Sequence, residues 1–582
     1  MAVLPLREHR RTRTRRSPLT IYRGQFTFIV ELLHHGGIEM RDATATRRWL
    51  GLIAIALGVA LIVVDTTIVN VITPSVVEDL GVNSSQAQWI QESYAIVFAA
   101  LLLLTGRLSD MLGARRVFTW GVVVFGATSV LAGLAPNGGL LILARFLQGV
   151  GAAMILPTSL ALLKANFTGK ARGQAFAVWG STIGAAAALG PLLGGWLSEH
   201  VSWRWAFGIN VPLSVLVAFG VVRYLARSPR TRGSIDTTGA VLSVVGLGLL
   251  AFGLVEGRIY GWLATVHPLE LFGFTWDSGP SPVLVALVLA ALALGLFVRR
   301  QSRLTRGGDA SRAMMDVRLF SISSFRNGNI ATLIIGVGEF GIVAVLPLWL
   351  QFTLGYSALQ AGLALVPVAI GSFVASGASF GMAAKVSPLI QLRIGLALEV
   401  VGLAGVALVA APDTSWWAVS AMLFLYGIGV GFATAQVTNV VLADIPDDSS
   451  GQGSGIQSAF RQLGSALGIA ALTTVFFTTL SSRLHDTLVS SGLSGAAADK
   501  FSHTVTDSAG AAIGPLAGNP QTASVADAAR AAMSDGVAIG GCVAAGFVVL
   551  GLLASLLIPA MPPQAQTETE DAETEDAPAL RG

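Results

Sequence analysis

The chain has 582 residues, 53% of them hydrophobic and only 12% charged, about half the ~25% charged fraction of a soluble globular chain. Mean hydropathy is +0.69 and glycine reaches 67 residues, so the apolar excess is small and aliphatic; at ~20 residues per bilayer crossing it supplies about fourteen or fifteen spans, which excludes a water-soluble enzyme. The net charge is a modest +4, and the single Cys542 excludes an internal disulfide framework and any CxxC metal or redox site.

Residues 1–48 are polar and Arg-rich, with RRTRTRRSP at 10–18. Such a run reads either as nucleic-acid binding or as a disordered cytoplasmic tail beside anionic lipid headgroups. The absence of interleaved aromatics favours the tail, with no nucleic-acid partner. Met40 offers an alternative start, and no apolar h-region marks a cleavable signal peptide.

Fourteen apolar runs follow, read as helices near 49–71, 88–106, 116–135, 139–163, 173–198, 204–225, 236–256, 282–298, 326–350, 358–382, 390–411, 415–442, 453–480 and 536–560. The seventh, with Gly246, Gly248 and Gly253, and the short eighth are the weakest. Linkers at 227–235 and 299–325 divide the chain into a six-helix bundle (49–226), two extra spans (227–325) and a second six-helix bundle (326–560). Within the last lies an outer segment, 481–535, in which short helices are expected, for instance around 522–534. Residues 561–582 form an acidic cytoplasmic tail. The fold class is therefore all-α polytopic, with both termini on one side. Placing the N-terminus inside puts 30 of the 37 Lys and Arg in inner loops and tails, the positive-inside signature. Five fall outside, while Arg145 and Arg461 lie within or at the edge of spans.

Several motifs carry chemistry. After the second helix, Gly106-Arg-Leu-Ser-Asp110-Met-Leu-Gly113-Ala-Arg115-Arg116 forms a tight inner loop. Its glycines permit a sharp turn, and Asp110 pairs with Arg115 or Arg116 or faces the positive end of a neighbouring helix. A cluster of this kind forms in one conformation and breaks in another, making it a candidate conformational gate; the bland reading is an ordinary positive-inside loop. In the fourth helix Arg145 and Gln148 share one face, and an arginine inside an apolar helix faces an interior cavity or a partner. The fifth helix carries GSTIGAAAALGPLLGG from Gly180 to Gly195, with pairs of glycines four apart at Gly180/Gly184 and Gly190/Gly194 and a bend at Pro191. Small residues at this spacing allow close backbone approach, either for movement or for ordinary packing.

These segments together resemble the major facilitator superfamily. Gly106–Arg116 matches its loop 2–3 motif, Arg145–Gly151 its fourth-helix motif, and Gly184–Gly195, with Gly190, Pro191 and Gly194, its fifth-helix antiporter motif. Asp65-Thr-Thr-Ile-Val-Asn70-Val, Trp203 to Pro212, Leu346 to Gln351 and Tyr356 to Gly362 are similar to the fourteen-helix drug:proton antiporter subgroup of multidrug and antibiotic exporters. The resemblance covers about residues 47–480 and the last helix. It implies two six-helix bundles rocking about a midplane cavity, with Asp65 taking part in proton or cation binding and Arg145 modulating it. Two departures stand out: Gly381-Met-Ala-Ala-Lys385 is a degenerate second copy of the loop motif, and Thr73 precedes Pro74 where the family often has Ala.

Proton coupling needs a group that titrates inside the membrane, and Asp65, Glu92, Glu339 and Glu399 are the candidate carboxyls, Asp65 and Glu339 foremost. For Asp65 the competing reading is a residue held by local hydrogen bonds from Thr66, Thr67 and Asn70. Glu92 reads as a helix-start residue, and Glu399 as facing a neighbouring helix. Asn70, Tyr94, Phe98, Gln148, Phe340, Trp349, Gln351, Phe432, Gln436 and Asn439 are candidates to line a substrate cavity, although single aromatics more often pack or anchor at the interface. No GK[ST] phosphate loop is present, which disfavours ATP. The expected function is proton-coupled export of small lipophilic or cationic drugs across the bacterial inner membrane. It needs no cofactor or metal and no enzymatic step, and its partners are the small-molecule substrate, protons and the lipid bilayer. The alternatives are export of an endogenous metabolite on the same fold, or a non-transporting receptor or scaffold.

Overall fold

The computed structural model describes residues 43–560 apart from 83, 229, 231–233, 272–273, 308–311 and 384, so the basic tail before residue 43 and the acidic tail 561–582 lie outside the described residues. Residues 1–49 and 50–582 are separate units; the described part of the first is helical from Ala43, and the packing and sites described below are those of the second. Hydrocarbon offers no partner to backbone N–H and C=O groups, so apolar runs cross it as helices that satisfy themselves. All fourteen expected spans are helices long and apolar enough to cross. They are α1 Ala43–Leu80, α2 Ser84–Leu112, α3 Ala114–Gly133, α4 Gly138–Asn166, α5 Gly169–His200, α6 Asn210–Tyr224 (which with the short helix Arg204–Gly208 makes the sixth span), α7 Thr237–Tyr260 and α8 Pro282–Arg306. The remainder are α9 Ser323–Phe352, α10 Ala358–Met382, α11 Pro388–Val409, α12 Trp416–Val441, α13 Ser450–Ser490 and α14 Ala523–Ser555.

Polar residues at the membrane edges hold the helix ends, where backbone groups would otherwise be orphaned. The Asn137 side chain accepts from Leu140 N at the start of α4. Ser281 accepts from Val283 N with Pro282 opening α8, and Ser357 with Gln360 closes a capping box at α10. The glycines that weakened the seventh helix as a sequence signal are its packing surface. A Cβ on Gly246 would meet Leu294 of α8 at 2.8 Å, and one on Gly253 would meet Leu287 at 2.6 Å, so α7 and α8 close into a tight hairpin.

The outer segment is more helical than expected. Helix α13 runs past the apolar stretch to Ser490, short helices follow at Gly495–Asp507 and Ile513–Ala517, and the stretch near 522–534 is the front of α14. Between α7 and α8 a small antiparallel hairpin, β1 Leu269–Leu271 with β2 Phe274–Trp276, is the one sheet among the described residues. The two six-helix sets meet chiefly along α2 against α13 and α5 against α10, with α5 also resting on α12 and α4 on α13. In each of the two main contacts the second helix of one set lies on the fifth helix of the other, as expected of pseudo-symmetric halves. The inserted hairpin joins that seam through α7, which packs on both α2 and α13.

Candidate functional site

Asp65 of α1 is fully buried, and so is the constellation around it. Arg145 Nη1 of α4 donates to Asp65 Oδ2 in a close ion pair. Asn210 Nδ2, at the start of α6, donates to Asp65 Oδ1 at 2.8 Å and Gln148 Nε2 to the same oxygen at 3.3 Å. Ser129 Oγ of α3 accepts from both amides, at 2.8 Å from Gln148 and 3.2 Å from Asn210. Arg145 is fixed further by donating Nε to Ile90 O at 3.0 Å and Nη1 to Gln148 Oε1 at 3.0 Å, with its guanidinium 4.4 Å above the Tyr94 ring. The local alternative for Asp65 is not what forms. Thr66 and Thr67 turn their hydroxyls to Ile62 O and Val63 O, and Asn70 is exposed.

The second half repeats the theme. Glu339 of α9 is buried beside Arg461 of α13, Nη2 to Oε1 at 3.4 Å, and Thr434 Oγ1 of α12 donates to the same oxygen at 3.1 Å. Tyr426 OH donates to Glu339 O at 2.7 Å. Glu399 of α11 is fully buried against α12, where a Cβ on Gly429 would lie 2.5 Å from its Cγ, and it feels the charges of Glu339 and Arg461. Each half therefore holds a buried acid paired with an arginine from another helix. Buried pairs of this kind are costly to desolvate and strongly destabilising to break on one side.

At the inner face, the side the charge asymmetry assigns to the cytoplasm, the halves are clasped. The helix terminus expected as one partner of Asp110 is in place: Gly451 N and Gln452 N, in the first turn of α13, donate to its two oxygens at 2.6 and 2.8 Å. Carboxylate charge at a helix N-terminus is favoured by the exposed amides and the helix dipole. Gly106 lets the backbones meet, because a Cβ there would be 2.6 Å from Gly451 O. Gly113 turns the chain with φ 92°. Arg115 N bonds Ser228 Oγ at 3.1 Å, and Arg115 and Arg116 edge a small basic hollow with Arg227 and Arg230. Lys164 of α4 adds a second tie, donating to Ile445 O and lying 3.7 Å from Asp447. In the degenerate loop after α10, Gly381 makes no matching approach, since a Cβ there would meet nothing within 4 Å.

The glycines of α5 serve two contacts. Added Cβ atoms at Gly180 and Gly184 would collide with Ala435 and Ser372 of the other half, whereas those at Gly190 and Gly194 would collide with Thr67 and Ile68 of α1. Gly195 has more room, with Leu359 at 3.9 Å, and Gly362 of α10 packs on Pro191. The candidate cavity residues are spread over several places. Tyr94 and Gln148 belong to the Asp65 centre, and Phe340 is half-buried beside Arg461, 5.4 Å from its guanidinium. Trp349 is fully buried and donates to Ser534 Oγ of α14 at 3.0 Å. Gln351 bonds back to Pro347 O at 3.2 Å. Gln436 and Asn439 sit in a buried amide cluster with Ser379 and Gln391. Asn210, Ser129, Thr434 and Arg461 complete the two centres without having been singled out. Asn210 and Arg461 did leave a signal, a polar residue in a motif and an arginine in a span.

A family model described as Major Facilitator Superfamily matches residues 55–469. The chain is 35% identical over 444 residues to the puromycin resistance protein pur8 of Streptomyces alboniger, covering 74% of this chain and 82% of that protein. It is 34% identical over 451 residues to the probable actinorhodin transporter of Streptomyces coelicolor, covering 75% and 74%. To the multidrug efflux pump LfrA of Mycolicibacterium smegmatis it is 31% identical over 520 residues, covering 88% and 96%. Among solved structures the human organic anion transporter MFSD10 aligns at a TM-score of 0.56 and 14% identity, covering 87% of this chain and 99% of that one, a likeness of fold. Fourteen membrane-crossing helices and these bacterial relatives make the protein a multi-pass protein of the bacterial inner membrane. Its loop, fourth-helix and fifth-helix motifs, the paired six-helix sets and the match over residues 55–469 agree: the chain belongs to the Major Facilitator Superfamily.

Proposed function

We propose that the protein is a secondary active exporter that moves small lipophilic or cationic compounds, antibiotics among them, outward in exchange for protons. The observation that carries this reading is the fully buried Asp65–Arg145 pair, with Glu339–Arg461 as its counterpart in the other half. A proton arriving on Asp65 cancels the charge that holds Arg145, and the guanidinium is then left to its remaining partners, Gln148, Ile90 O and the Tyr94 ring. Because α1 and α4 carry the two charges, protonation changes how these helices pack. The Asp110 clasp and the glycine seams of α5 are the parts that open and slide in alternating access. The pH gradient is the energy source, and the chemistry needs neither ATP nor a bound cofactor.

Ethidium efflux from a pump-deficient host, with and without a protonophore, tests the reading. The wild type extrudes the dye and the protonophore abolishes this. Asp65→Asn reaches the membrane but loses gradient-driven efflux by at least about tenfold, a barrier change of ~1.4 kcal/mol. Efflux by Asp65→Asn at the normal rate would remove Asp65 from the mechanism. A second cargo, an antibiotic made by the host itself, is favoured by relatives named for transport of actinorhodin and export of cephamycin. Deleting the gene in its own host would then raise the intracellular level of that compound and leave ethidium sensitivity unchanged.

A further inference from the structure

The seam between α2 and α7 holds two acids that the Asp65 and Glu339 centres do not use. Gly248 of α7 faces Ala100 of α2, where an added Cβ would lie 3.4 Å from the alanine methyl. The helices run antiparallel, so the same register sets Glu92 opposite Glu256, an equal number of residues outward along each helix (100 to 92, 248 to 256). Trp89 and Phe252, stacked at 6.2 Å, belong to the same interface. The carboxyls of Glu92 and Glu256 interact side chain to side chain. Glu256 is fully buried, yet no protein donor reaches either of its oxygens or Glu92 Oε2. Two carboxylates facing each other, Glu256 fully buried and Glu92 half-buried, are disfavoured twice, by lost hydration and by like charge. One proton resolves both problems, because the protonated acid donates to its neighbour.

An outer cavity of about 1060 Å³ lies next to this pair. Gln88, one helical turn outward of Glu92, and Gly257, next to Glu256, both line it. Its walls carry His267, His485 and His503 with Asp486, Asp499 and Asp507, and His485 bridges Asp486 at 3.4 Å and Asp499 at 3.3 Å. Ser502, also in the wall, is buried and its hydroxyl has no partner, leaving a polar atom free to carry a hydrogen-bonded chain inward. No group of three or more His, Cys, Asp or Glu among the described residues is arranged for a metal ion. The charged groups around the pair come from every neighbour. Helix α7 adds Arg258, 4.0 Å over the Phe477 ring and under the charge of Asp507. Helix α13 adds His485, and the outer helix Gly495–Asp507 adds Asp499, His503 and Asp507. Through Ile90, α4 brings Arg145 with its Asp65. The arginines of α8 begin at Arg299, at the opposite end of that helix.

We propose that Glu92 and Glu256 form a further proton-binding site, one proton held between two carboxyls and supplied from outside through the His/Asp-lined cavity. The role of this proton in transport rests on the antiport reading above. Since α7 packs on both α2 and α13, the site ties the inserted hairpin to the seam along which the halves move. Holding the proton keeps α2 and α7 together, and losing it sets two like charges against each other and loosens that contact.

The test uses purified full-length protein with E92Q, E256Q and the double variant. Glutamine keeps the side-chain length and its amide donates to the remaining acid, so the helix contact survives, which monodisperse elution checks. Proton titration in detergent between pH 8 and 5 is read first: each variant binds one proton fewer per chain than the wild type. Equal proton counts for wild type and double variant overturn the site, whatever transport does. Ethidium efflux from proteoliposomes under an imposed pH gradient is read second. Each single variant slows it several-fold, and the double variant slows it no further because one shared proton is lost once. Wild-type efflux rates in the double variant overturn its coupling role. Wild-type ethidium efflux that ignores the gradient would sink the antiport reading instead, leaving the titration to decide on the site.

Discussion

Arg145 has four partners from three directions: Asp65, Gln148, the Ile90 carbonyl and the Tyr94 ring. Cutting it to alanine leaves Asp65 buried without its counter-charge and with two amides for company, and breaking one side of a buried pair costs about 3–5 kcal/mol. Arg145→Ala therefore melts well below the wild type in a thermal scan of the purified protein, whereas Asp65→Asn with Arg145→Gln recovers most of the loss because neither charge is left behind. Transport stays lost in both. A double variant no more stable than Arg145→Ala would mean that the pair is not the unit the geometry describes. Arg145→Lys keeps a charge but not the planar fork, and folds with reduced efflux. Asp65, Glu92, Glu339, Glu399 and Arg145 were legible in the sequence because a charge inside an apolar run stands out. Ser129 and Thr434 were not, because a hydroxyl gains meaning only from the buried charge it meets, and that charge lies far away along the chain.

Helix ends carry the next level of control. The Asp110 clasp depends on two amides at the start of α13 and on the absence of a side chain at Gly106. A carboxylate at a helix N-terminus is worth roughly 0.3–2 kcal/mol, so Asp110→Asn shifts the balance towards an open inner face by roughly 2- to 30-fold, and Gly106→Val shifts it further by sterically blocking closure. Cysteines placed at the inner ends of α2 and α13, with Cys542 replaced, report this as weaker cross-linking in both variants. A second inner contact joins the hairpin ends: Asp236, just before α7, accepts from Arg300 Nε at 2.8 Å and from Gln301 Nε2 at 3.0 Å. Burial pushes its carboxyl up, but the bonds from Arg300, the Gly239 N–H and Gln301 outweigh this and hold it below the ordinary aspartate range. The stabilisation is thus fully present above the unfolded value of about 4 and is lost as pH falls through the lower folded one. Amide exchange at the start of α7 should stay slow from pH 8 to 5 and rise only in stronger acid. Asp236→Asn should raise it already at neutral pH.

Across the whole molecule the halves touch chiefly along α2–α13 and α5–α10, and these seams are made of small residues. A Cβ at Gly184 would stand 2.4 Å from Ser372 Oγ, so Gly184→Leu wedges α5 from α10. Normal membrane levels with ethidium efflux down at least about tenfold is the expected result; unchanged efflux would show that the α5–α10 seam need not be tight. The inserted hairpin is not peripheral to this machinery, since α7 rests on the α2–α13 seam.

The fourteen spans, their orientation and the family motifs were determined by the sequence alone, because hydropathy, charge asymmetry and helical spacing are local properties that the bilayer enforces run by run. The lengths of α13 and α14 beyond the membrane escaped that reading, because in their polar outer turns the hydropathy signal ends before the helix does. Only the tertiary structure decided which charges meet. It brought Arg145 to Asp65 and Arg461 to Glu339, sent Asp110 to a helix terminus, and set Glu92, readable from its position as a helix-start residue, against Glu256 of the inserted hairpin. The physical reason is that pairing across a bundle depends on register and rotation between helices distant in sequence, and no periodicity within one helix encodes what lies on the next.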